Sequence, residues 1–240
     1  MPTPTFLRAA VFSRPIAASL RNGLVDYWPL QDASPLGLRG NSLTPTVNPP
    51  TSTDGPGGQL FRASHFNEAN LEWFSIADSS VVSMGAGVRC SICAWYLLDS
   101  LLEVRDIAAK RAGAGALEYY WRYESALDRM NFEVSPNGST PVTSVSSAAA
   151  PSIATWYFGV VWYDGAALHM QINNGAVQST PYTGDIFNGA EALRIGASNA
   201  DAGGNGGWNG KLAGVGLWKR ALSNAERAYL YNNGSPRVVR

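Results

Sequence analysis

The sequence predicts an all-β protein, in which two antiparallel sheets pack as a jelly-roll sandwich with a short C-terminal helix and an extended N-terminal arm. From Asn22 onward, short runs of residues alternate between apolar and polar, which is the pattern of half-buried strands. Clusters of Gly, Pro, Asn and Ser separate these runs at the spacing typical of an antiparallel sandwich. The clearest helix signal is one short segment near the C terminus.

The charged residues exclude two classes of partner. The 240 residues include 18 basic and 18 acidic side chains, scattered without runs, and the formal net charge is zero. Nucleic acids and anionic membrane surfaces both require a concentrated positive field. No apolar run approaches the length that spans a bilayer. We therefore expect neither nucleic-acid binding nor membrane insertion.

The first 22 residues are predicted to form a docking arm. Arg8 and Arg14 interrupt its apolar stretch, which argues against a secretion signal. The apolar residues expected to dock on a larger assembly are Phe6, Leu7, Val11, Phe12 and Ile16. Residues 23–240 are predicted as one domain, because strands of the same style lie on both sides of the Pro- and Gly-rich segment 34–58.

Eleven segments are predicted to be strands, which is enough for two packed sheets. They are residues 24–30, 60–66, 72–76, 88–98, 105–110, 117–123, 129–135, 156–163, 168–173, 193–196 and 211–218. The segment 34–58 and the glycine-rich loop 198–210 are predicted to be irregular.

Two cysteines, Cys90 and Cys93, lie in one predicted strand. Positions three apart on a strand point to opposite faces, with α-carbons about 10 Å apart, which is too far for a disulfide. We expect two free, buried thiols. The two histidines, His65 and His169, are isolated in the sequence, so a zinc site lacks ligands.

The strand 156–163 is apolar on both faces. One face, with Trp156, Phe158, Val160 and Trp162, is predicted to lie in the core. The opposite face, which carries Tyr157, Val161 and Tyr163, then requires a second cover. The terminal helix, a loop, the N-terminal arm or another protein chain could supply it.

The C-terminal helix has clear boundaries in the sequence. Ser223 and Glu226 form a capping box that starts it. An apolar stripe made of Leu222, Ala225 and Tyr229 is predicted to pack on the sandwich. Gly234 is the expected left-handed C-terminal cap.

The order of several segments resembles the laminin G-like, concanavalin A-like lectin/glucanase modules. They are GLVDYWPL, LFRASHFNEANLEWFSIADSS, SICAWYLL, TWYFGVVWYDGAALHMQINNG, LRIGAS and WNGKLAGVGLWKRALSNAERAYLYNNG. The resemblance implies the sandwich fold and a terminal helix on its flank. It leaves function open, because the fold hosts lectins, adhesion modules, glycanases and viral structural proteins, including modules on tailed-phage virions.

Catalysis is not expected. The resemblance implies that a glycanase of this fold would carry a Glu-x-Asp-x-x-Glu motif on one strand. No such motif occurs here. A Ser-His-Asp site is also poorly supported, because the sequence has no Gly-x-Ser-x-Gly motif and places no obvious partner beside either histidine.

Calcium is a cofactor that the resemblance implies, bound by Asp or Asn in end loops. The first such loop keeps Asp32 and Asn41, but a Pro-Leu pair replaces the acidic residue that relatives place there, so an inherited site is not expected. The second candidate set is Asp201, Asn205 and Asn209, evenly spaced in the glycine-rich loop, where turn formation is an alternative explanation. No cofactor is required by the sequence.

A glycan-binding surface is predicted on an outward sheet face. Its candidate residues are Tyr120, Arg122, Asn131, Glu133, His169 and Gln171, with Trp208 from the glycine-rich loop. Amides, charged groups and an aromatic ring are side chains that glycan-binding sandwiches use. The alternative is a solvated sheet with a cross-strand pair between Arg122 and Glu133.

Two hypotheses on function follow. The first is a non-catalytic structural or adhesion module, a decoration or fibre-associated protein on a virion surface, whose partners are other virion or assembly proteins or a second copy of the chain. The second is a carbohydrate-binding adhesion module, calcium-dependent and extracellular.

Overall fold

A computed structural model describes residues 16–31, 36–46, 48–112, 116–139, 142–198 and 206–240. Their fifteen strands form two antiparallel sheets, numbered here in chain order. The eight-stranded sheet contains β1 (Leu24–Trp28), β3 (Thr51–Gly57), β4 (Leu60–Phe66), β6 (Cys90–Leu98), β11 (Tyr157–Tyr163), β12 (Ala167–Ile172), β13 (Gln178–Pro181) and β15 (Gly210–Trp218). The seven-stranded sheet contains β2 (Thr44–Pro45), β5 (Phe74–Ile76), β7 (Arg105–Lys110), β8 (Leu117–Glu124), β9 (Arg129–Gly138), β10 (Thr143–Ser146) and β14 (Leu193–Ile195).

The strand order supports the predicted sandwich. The first sheet runs β13-β12-β11-β6-β15-β4-β3, with β1 also paired to β15, and the second runs β10-β9-β8-β7-β14-β5-β2. All eleven predicted strands are confirmed, with ends shifted by a few residues at most. Non-consecutive neighbours such as β6 and β15 bring distant segments together, so one core serves the whole module.

Four strands were not predicted, namely β2, β3, β10 and β13. The prediction that segment 34–58 is irregular throughout is wrong, because β3 lies inside it and pairs with β4. A bulge between Asp54 and Gly57 takes up the proline and the glycines, and an edge strand tolerates both residue types. Pairing with a neighbouring strand, rather than the segment's own pattern, forms this element.

The space between the sheets is filled by large side chains. Trp28, Phe66 and Trp121 are fully buried there. Gly159 on β11 permits the packing of Trp121, since a Cβ at this position would lie 2.5 Å from the indole ring. Cys90 lies in this core and Cys93 lies on the other side of the same sheet.

Both cysteines are free and buried, as predicted. Burial raises the pKa of each thiol to about 12. Such thiols are protonated at neutral pH and pack as small apolar groups. Their opposite faces confirm the alternation on which the prediction depended.

A second apolar cluster covers the outer face of the eight-stranded sheet. Phe158, Val160 and Trp162 of β11 lie in it, together with Leu20 and Trp218. The prediction that Phe158, Val160 and Trp162 lie in the core between the sheets is therefore wrong. Val161 and Tyr163, from the opposite face of the strand, lie in that core instead. The expectation that both faces of the strand are covered is confirmed.

The cover includes the C-terminal helix α1 (Asn224–Tyr231). Its capping box is confirmed, with the Ser223 hydroxyl accepting from the Glu226 N–H at 3.3 Å and the Glu226 carboxylate accepting from the Ser223 N–H at 2.8 Å. The helix ends at Asn232, with φ 45°. Gly234 was therefore the wrong cap, and lies in a short 3-10 turn that follows.

The buried side of α1 differs from the predicted stripe. Leu222 before the helix is buried as expected, but Ala225 is exposed and Tyr229 is only partly buried. Arg227 and Leu230 are buried instead. A charged side chain replaces an apolar one here because the sheet beneath offers it partners, which pattern analysis cannot anticipate.

The predicted arm contributes to the packed module at its C-terminal end. Residues 16–19 form one helical turn. Leu20 is fully buried, and its carbonyl accepts a hydrogen bond from the Trp218 indole at 2.7 Å. Ile16 is partly buried. The other predicted docking residues, Phe6, Leu7, Val11 and Phe12, lie outside the described residues, and their docking role stays a prediction.

Helices in the described part of the chain are too short to cross a bilayer.

Candidate functional site

The outer face of the seven-stranded sheet carries a cluster of polar side chains. Alternation along β8 and β9 turns Trp121 and Phe132 into the core and their neighbours outward. Strand pairing then sets Tyr120 opposite Glu133, and Arg122 opposite Asn131. We call this surface the polar face; its residues are Asp106, Arg111, Tyr120, Arg122, Asn131, Glu133 and Arg194.

Arg122 occupies the centre of the polar face. Its Nη2 lies 2.6 Å from Glu124 Oε2 and donates to the Tyr120 hydroxyl at 3.0 Å. The predicted pairing with Glu133 is longer, at 3.9 Å. The Arg122 side chain retains 17% exposure. It is therefore held in place but still open to solvent.

Tyr120 does not offer a bare ring to a ligand. The residue is 4% exposed. The guanidinium carbon of Arg122 lies 4.1 Å from the ring centroid, and that of Arg111 lies 5.0 Å from it. Burial raises the pKa of the Tyr120 hydroxyl, and the neighbouring Glu133 adds to the shift. Tyr120 was predicted to offer its ring on a glycan-binding surface, but the ring packs against two arginines instead.

Asn131 and Glu133 are also buried rather than solvated. Asn131 donates from Nδ2 to Glu133 Oε1 at 2.5 Å and accepts from the Ser146 hydroxyl at 2.9 Å. Asn131 is 1% exposed and Glu133 is 9% exposed. These two side chains fix one another and the floor of the polar face. Neither presents the open surface that the sequence suggested.

Asp106 was not predicted as part of this surface. It lies on β7 opposite Arg122 and is 1% exposed. The Ser198 hydroxyl lies close enough to stabilise the Asp106 carboxylate, but neither oxygen has a partner at full hydrogen-bond geometry among the described residues. Burial raises the pKa of Asp106 to about 6, and the positive charge of Arg122 opposes that rise. A bulge between Asp106 and Ala108 breaks the alternation of β7, which explains why the pattern missed it.

Arg111 and Arg194 extend the polar face toward the middle of the sheet. Arg194 Nη1 donates to the carbonyl oxygens of Arg111 and Ser198, at 3.3 Å each. Both arginines are partly exposed. Arg194 lies on β14, which pairs with β7. Three guanidinium groups with open surface thus lie along neighbouring elements, and only one of them was predicted from the sequence.

His169 and Gln171 do not belong to the polar face. They lie on β12, on the outer side of the other sheet, with the whole core between them and Tyr120. Gln171 accepts from Arg227 Nε at 2.7 Å, and the His169 ring stacks on Trp162 at 4.8 Å. The prediction of a single surface is therefore wrong. Alternation gives the side of a strand, but not the sheet to which the strand belongs.

Trp208 is also misplaced by the prediction. It is fully buried in the main core, edge-on to Tyr96 at 6.1 Å. It therefore presents no surface for a sugar. Asp201 and Asn205 lie outside the described residues.

A calcium site finds no support among the side chains that the structure describes. No group of three or more His, Cys, Asp or Glu residues there could hold a metal ion. Asn41 of the first loop instead donates from Nδ2 to Asp26 at 2.9 Å. Asp26 is buried and also accepts from the Arg39 N–H at 2.8 Å, so this amide and carboxylate fix the loop. Calcium binding by Asp201 and Asn205 stays a prediction.

The buried acidic residue Glu118 on β8 has structural contacts. Glu118 and Lys110 form an ion pair at 2.9 Å, and both side chains are fully buried. Glu118 also accepts from the Gly189 N–H at 3.1 Å, and Lys110 contacts Asp78 at 2.8 Å. A carboxylate so enclosed joins loops to the sheet and has no open side for a sugar.

An apolar cavity of about 220 Å³ lies at the open edge between the sheets. Its lining residues include Tyr96, Met130, Tyr157 and Met170, with the segment 147–151 as one wall. The Tyr96 and Tyr157 rings stack at 5.6 Å. The lining lacks charged residues, so the cavity is chemically distinct from the polar face.

The fold is shared with solved proteins of low sequence identity. Domain 4 of AbnA, a GH43 extracellular arabinanase from Geobacillus stearothermophilus, in complex with arabinotriose, matches with a TM-score of 0.65 at 14% identity, covering 85% of this chain and 96% of that one. The binding domain of Paraclostridial Mosquitocidal Protein 1 matches with a TM-score of 0.70 at 13% identity, covering 89% and 52%. The binding domain of botulinum neurotoxin DC in complex with rat synaptotagmin II matches with a TM-score of 0.62 at 10% identity, covering 90% and 52%.

The chain spans about half the length of the two toxin binding domains. At these identities the likeness concerns the fold alone. No curated protein matches the sequence at a significant level. The family model described as concanavalin A-like lectin/glucanases superfamily matches residues 72–226, which is well over half of the chain. The chain therefore belongs to the concanavalin A-like lectin/glucanase superfamily.

Proposed function

We propose that this chain is a carbohydrate-binding module that binds glycans on its polar face. One observation carries the proposal. Nine buried side-chain polar atoms lack a hydrogen-bond partner among the described residues, and four of them lie here: both oxygens of Asp106, and Nε of Arg111 and of Arg122. Buried polar groups are normally paired, so such a concentration calls for a polar partner.

Sugar hydroxyls have the required chemistry. A sugar hydroxyl can accept from a guanidinium N–H of Arg122, which retains open surface, while the buried Asp106 carboxylate attracts the positive charge of that arginine from below. Hydrogen bonds to charged groups contribute more than neutral ones. Because Glu124 and Tyr120 already hold Arg122 in place, binding would cost little side-chain entropy.

The comparisons are consistent with this proposal. The arabinanase domain is in complex with arabinotriose, and the fold family includes lectins by its description. A sugar-binding role for this chain is inferred from the polar face. An extracellular location, where many polymeric glycans occur, is part of the same proposal.

A glycan array tests the proposal with matched arginine variants. We expect the native chain to bind a defined set of glycans, and Arg122→Ala to lose at least tenfold in affinity. The control is Arg62→Ala, because Arg62 lies on the other sheet and donates to the Ser52 hydroxyl at 2.8 Å. It should bind as the native chain does. Equal binding by the Arg122 variant, or no bound glycan at all, would contradict the proposal.

Calcium dependence is tested in the same array. Loss of binding after chelation, restored by added calcium, would support a site involving Asp201 and Asn205. Unchanged binding after chelation would limit the interaction to the protein's own side chains.

A structural role in a larger assembly, with a virion surface as the predicted location, is a second proposal. The observation that favours it is the exposure of two aliphatic side chains at one end of the sandwich, Leu102 at 87% and Leu127 at 52%. The Tyr123 hydroxyl joins their loops, donating to Asp128 at 2.9 Å and lying 3.3 Å from the Leu101 carbonyl. Sedimentation of the native protein with particles, reduced by Leu102→Ser, would support it. Sedimentation as a free module would contradict it.

A further inference from the structure

Three side chains on the outer side of the eight-stranded sheet form a hydrogen-bonded chain. Ser179 on β13 lies opposite His169 on β12, and its hydroxyl is 2.7 Å from His169 Nδ1. His169 Nε2 lies 2.9 Å from Oδ2 of Asp164, in the turn before β12. Residue patterns do not indicate this arrangement, because β13 was not predicted and neither partner is adjacent to His169 in the sequence.

Asp164 determines which histidine nitrogen carries the hydrogen. Its Oδ1 accepts from the backbone N–H groups of Ala166 and Ala167, at 2.9 Å each. Burial opposes ionisation of Asp164, but these bonds and His169 outweigh it and hold its pKa below the usual range. An ionised carboxylate only accepts, so His169 donates from Nε2. In the neutral ring, Nδ1 is then the acceptor for the Ser179 hydroxyl.

The imidazole is held in this orientation. Its ring stacks on Trp162, with centroids 4.8 Å apart and planes 16° apart. The guanidinium of Arg227 packs on the same indole at 4.1 Å. The His169 side chain is only 15% exposed, whereas Ser179 is exposed. A shielded base thus faces an accessible hydroxyl, which is the arrangement that activates a serine nucleophile.

The backbone at Ser179 has a donor available. Tyr182 donates its N–H to the Ala166 carbonyl at 2.9 Å, so hydrogen-bonded pairs recur at every second residue of the β12–β13 ladder. Ser179 and His169 fall between them. Since β13 is the last strand of its sheet in the described chain, the Ser179 N–H points to the sheet edge. It can donate there to an oxyanion formed at the hydroxyl.

We propose that Ser179 is a base-activated nucleophile that accepts acyl groups from activated carboxylic esters. Its Oγ bonds to the ester carbonyl carbon while its proton passes to His169 Nδ1. The bond from that carbon to the leaving oxygen then breaks, and the leaving alkoxide takes the proton from Nδ1. The acyl group remains on Ser179 until water releases it as a carboxylic acid. Asp164 is a positioning residue, because it acts through His169.

Labelling of the full chain with p-nitrophenyl acetate tests this proposal. We expect an acetyl group on the peptide that contains Ser179, detected by mass spectrometry, and little on Ser144, a serine of the other sheet that serves as an internal control. Ser179→Ala should remove the label. Asp164→Asn should slow labelling at least tenfold, and Asp164→Glu should restore part of the rate, which a purely structural role would not produce.

Two results would overturn the proposal. One is acetylation spread equally over several serines and lysines. The other is a labelling rate at Ser179 that is the same in the native chain, in His169→Gln and in Asp164→Asn. Thermal unfolding of each variant establishes that it is folded. If either His169→Gln or Asp164→Asn is unfolded, the comparison with the native chain uses the one that folds. Glycan binding is measured separately, so its failure leaves this result unaffected.

Discussion

The two outer faces of the sandwich differ in how they are completed. The outer face of the eight-stranded sheet is apolar along β11 and is covered there by the chain's own ends, with Leu20 and helix α1 packed in the same cluster as Phe158 and Trp162. The face of the seven-stranded sheet is polar and holds unpaired buried groups, Asp106 among them. One face therefore contributes stability by burial, while the other keeps polar groups available for a partner.

This difference separates effects on stability from effects on binding. Substitutions under the terminal helix should alter the free energy of unfolding strongly and leave glycan binding unchanged in the folded protein. Substitutions on the polar face should do the reverse. Each of the following changes tests one side of that division.

The largest effect is expected for Phe158→Ala. Phe158 is 2% exposed, and its ring lies 5.2 Å from that of Trp95 and 6.2 Å from that of Tyr231. Removal of a buried aromatic ring leaves a cavity and should lower the free energy of unfolding by about 3 to 5 kcal/mol. Urea denaturation measures this loss. Val177→Ala, at an exposed residue, is the control and should change stability little.

The next effect is expected for Asp106→Asn, and it has the opposite sign. The folded pKa of about 6 lies above the unfolded value near 3.8, so the folded protein binds a proton more tightly. Stability from this group rises as pH falls from above 6 toward 4, by about 3 kcal/mol at most. The variant should therefore be more stable at pH 7.5 and show a weaker pH dependence. A native chain whose stability is flat between pH 4 and 7 would contradict this.

A smaller loss is expected for Glu226→Gln. Glu226 lies 2.7 Å from Arg220 Nη2 and accepts from the Ser19 hydroxyl at 2.7 Å. Burial disfavours its charge, but Arg220, Ser19 and Ser223 hold the pKa at about 2. Its stabilisation is thus present above pH 4.5 and is lost as pH falls toward 2. The substitution should cost about 2 kcal/mol at pH 7.

Glu124→Gln on the polar face is the matched comparison for that change. Glu124 is paired with Arg122 at 2.6 Å and retains 15% exposure. Ion pairs with solvent access contribute less, so we expect a loss below about 1 kcal/mol. Equal losses in the two variants would show that the faces do not differ as described.

The smallest effect on the covered face is expected for Ser223→Ala. It removes the hydroxyl that accepts from the Glu226 N–H, and should cost about 1 kcal/mol. An unchanged midpoint of thermal unfolding would mean that packing on the sheet alone holds α1.

Much of the fold could be predicted because strand alternation and capping are local properties. The alternation along β8 predicts correctly that the Tyr120 and Arg122 side chains point away from the core. Ser223, as an N-cap residue, predicts correctly where α1 begins. The sheet to which His169 belongs could not be predicted, because the β11–β12 hairpin joins that sheet through the pairing of β11 with β6, which is distant in sequence.

The candidate site was predicted less well for physical reasons. Tyr120 and Asn131 point outward as expected, yet neighbouring side chains bury them. The bulge in β7 shifts the alternation between Asp106 and Ala108, so the residue pattern does not show that Asp106 points outward. Outward direction on a strand and exposure to solvent are different quantities, and only the first can be obtained from the pattern of residues.

Hydrogen–deuterium exchange, with and without a glycan identified by the array, tests the central claim most directly. The polar face as the binding surface predicts that protection increases in β7, β8 and β9, with no change in β11, β12 or α1. Protection confined to β11, β12 and α1, or to the cavity wall at 147–151, would contradict it.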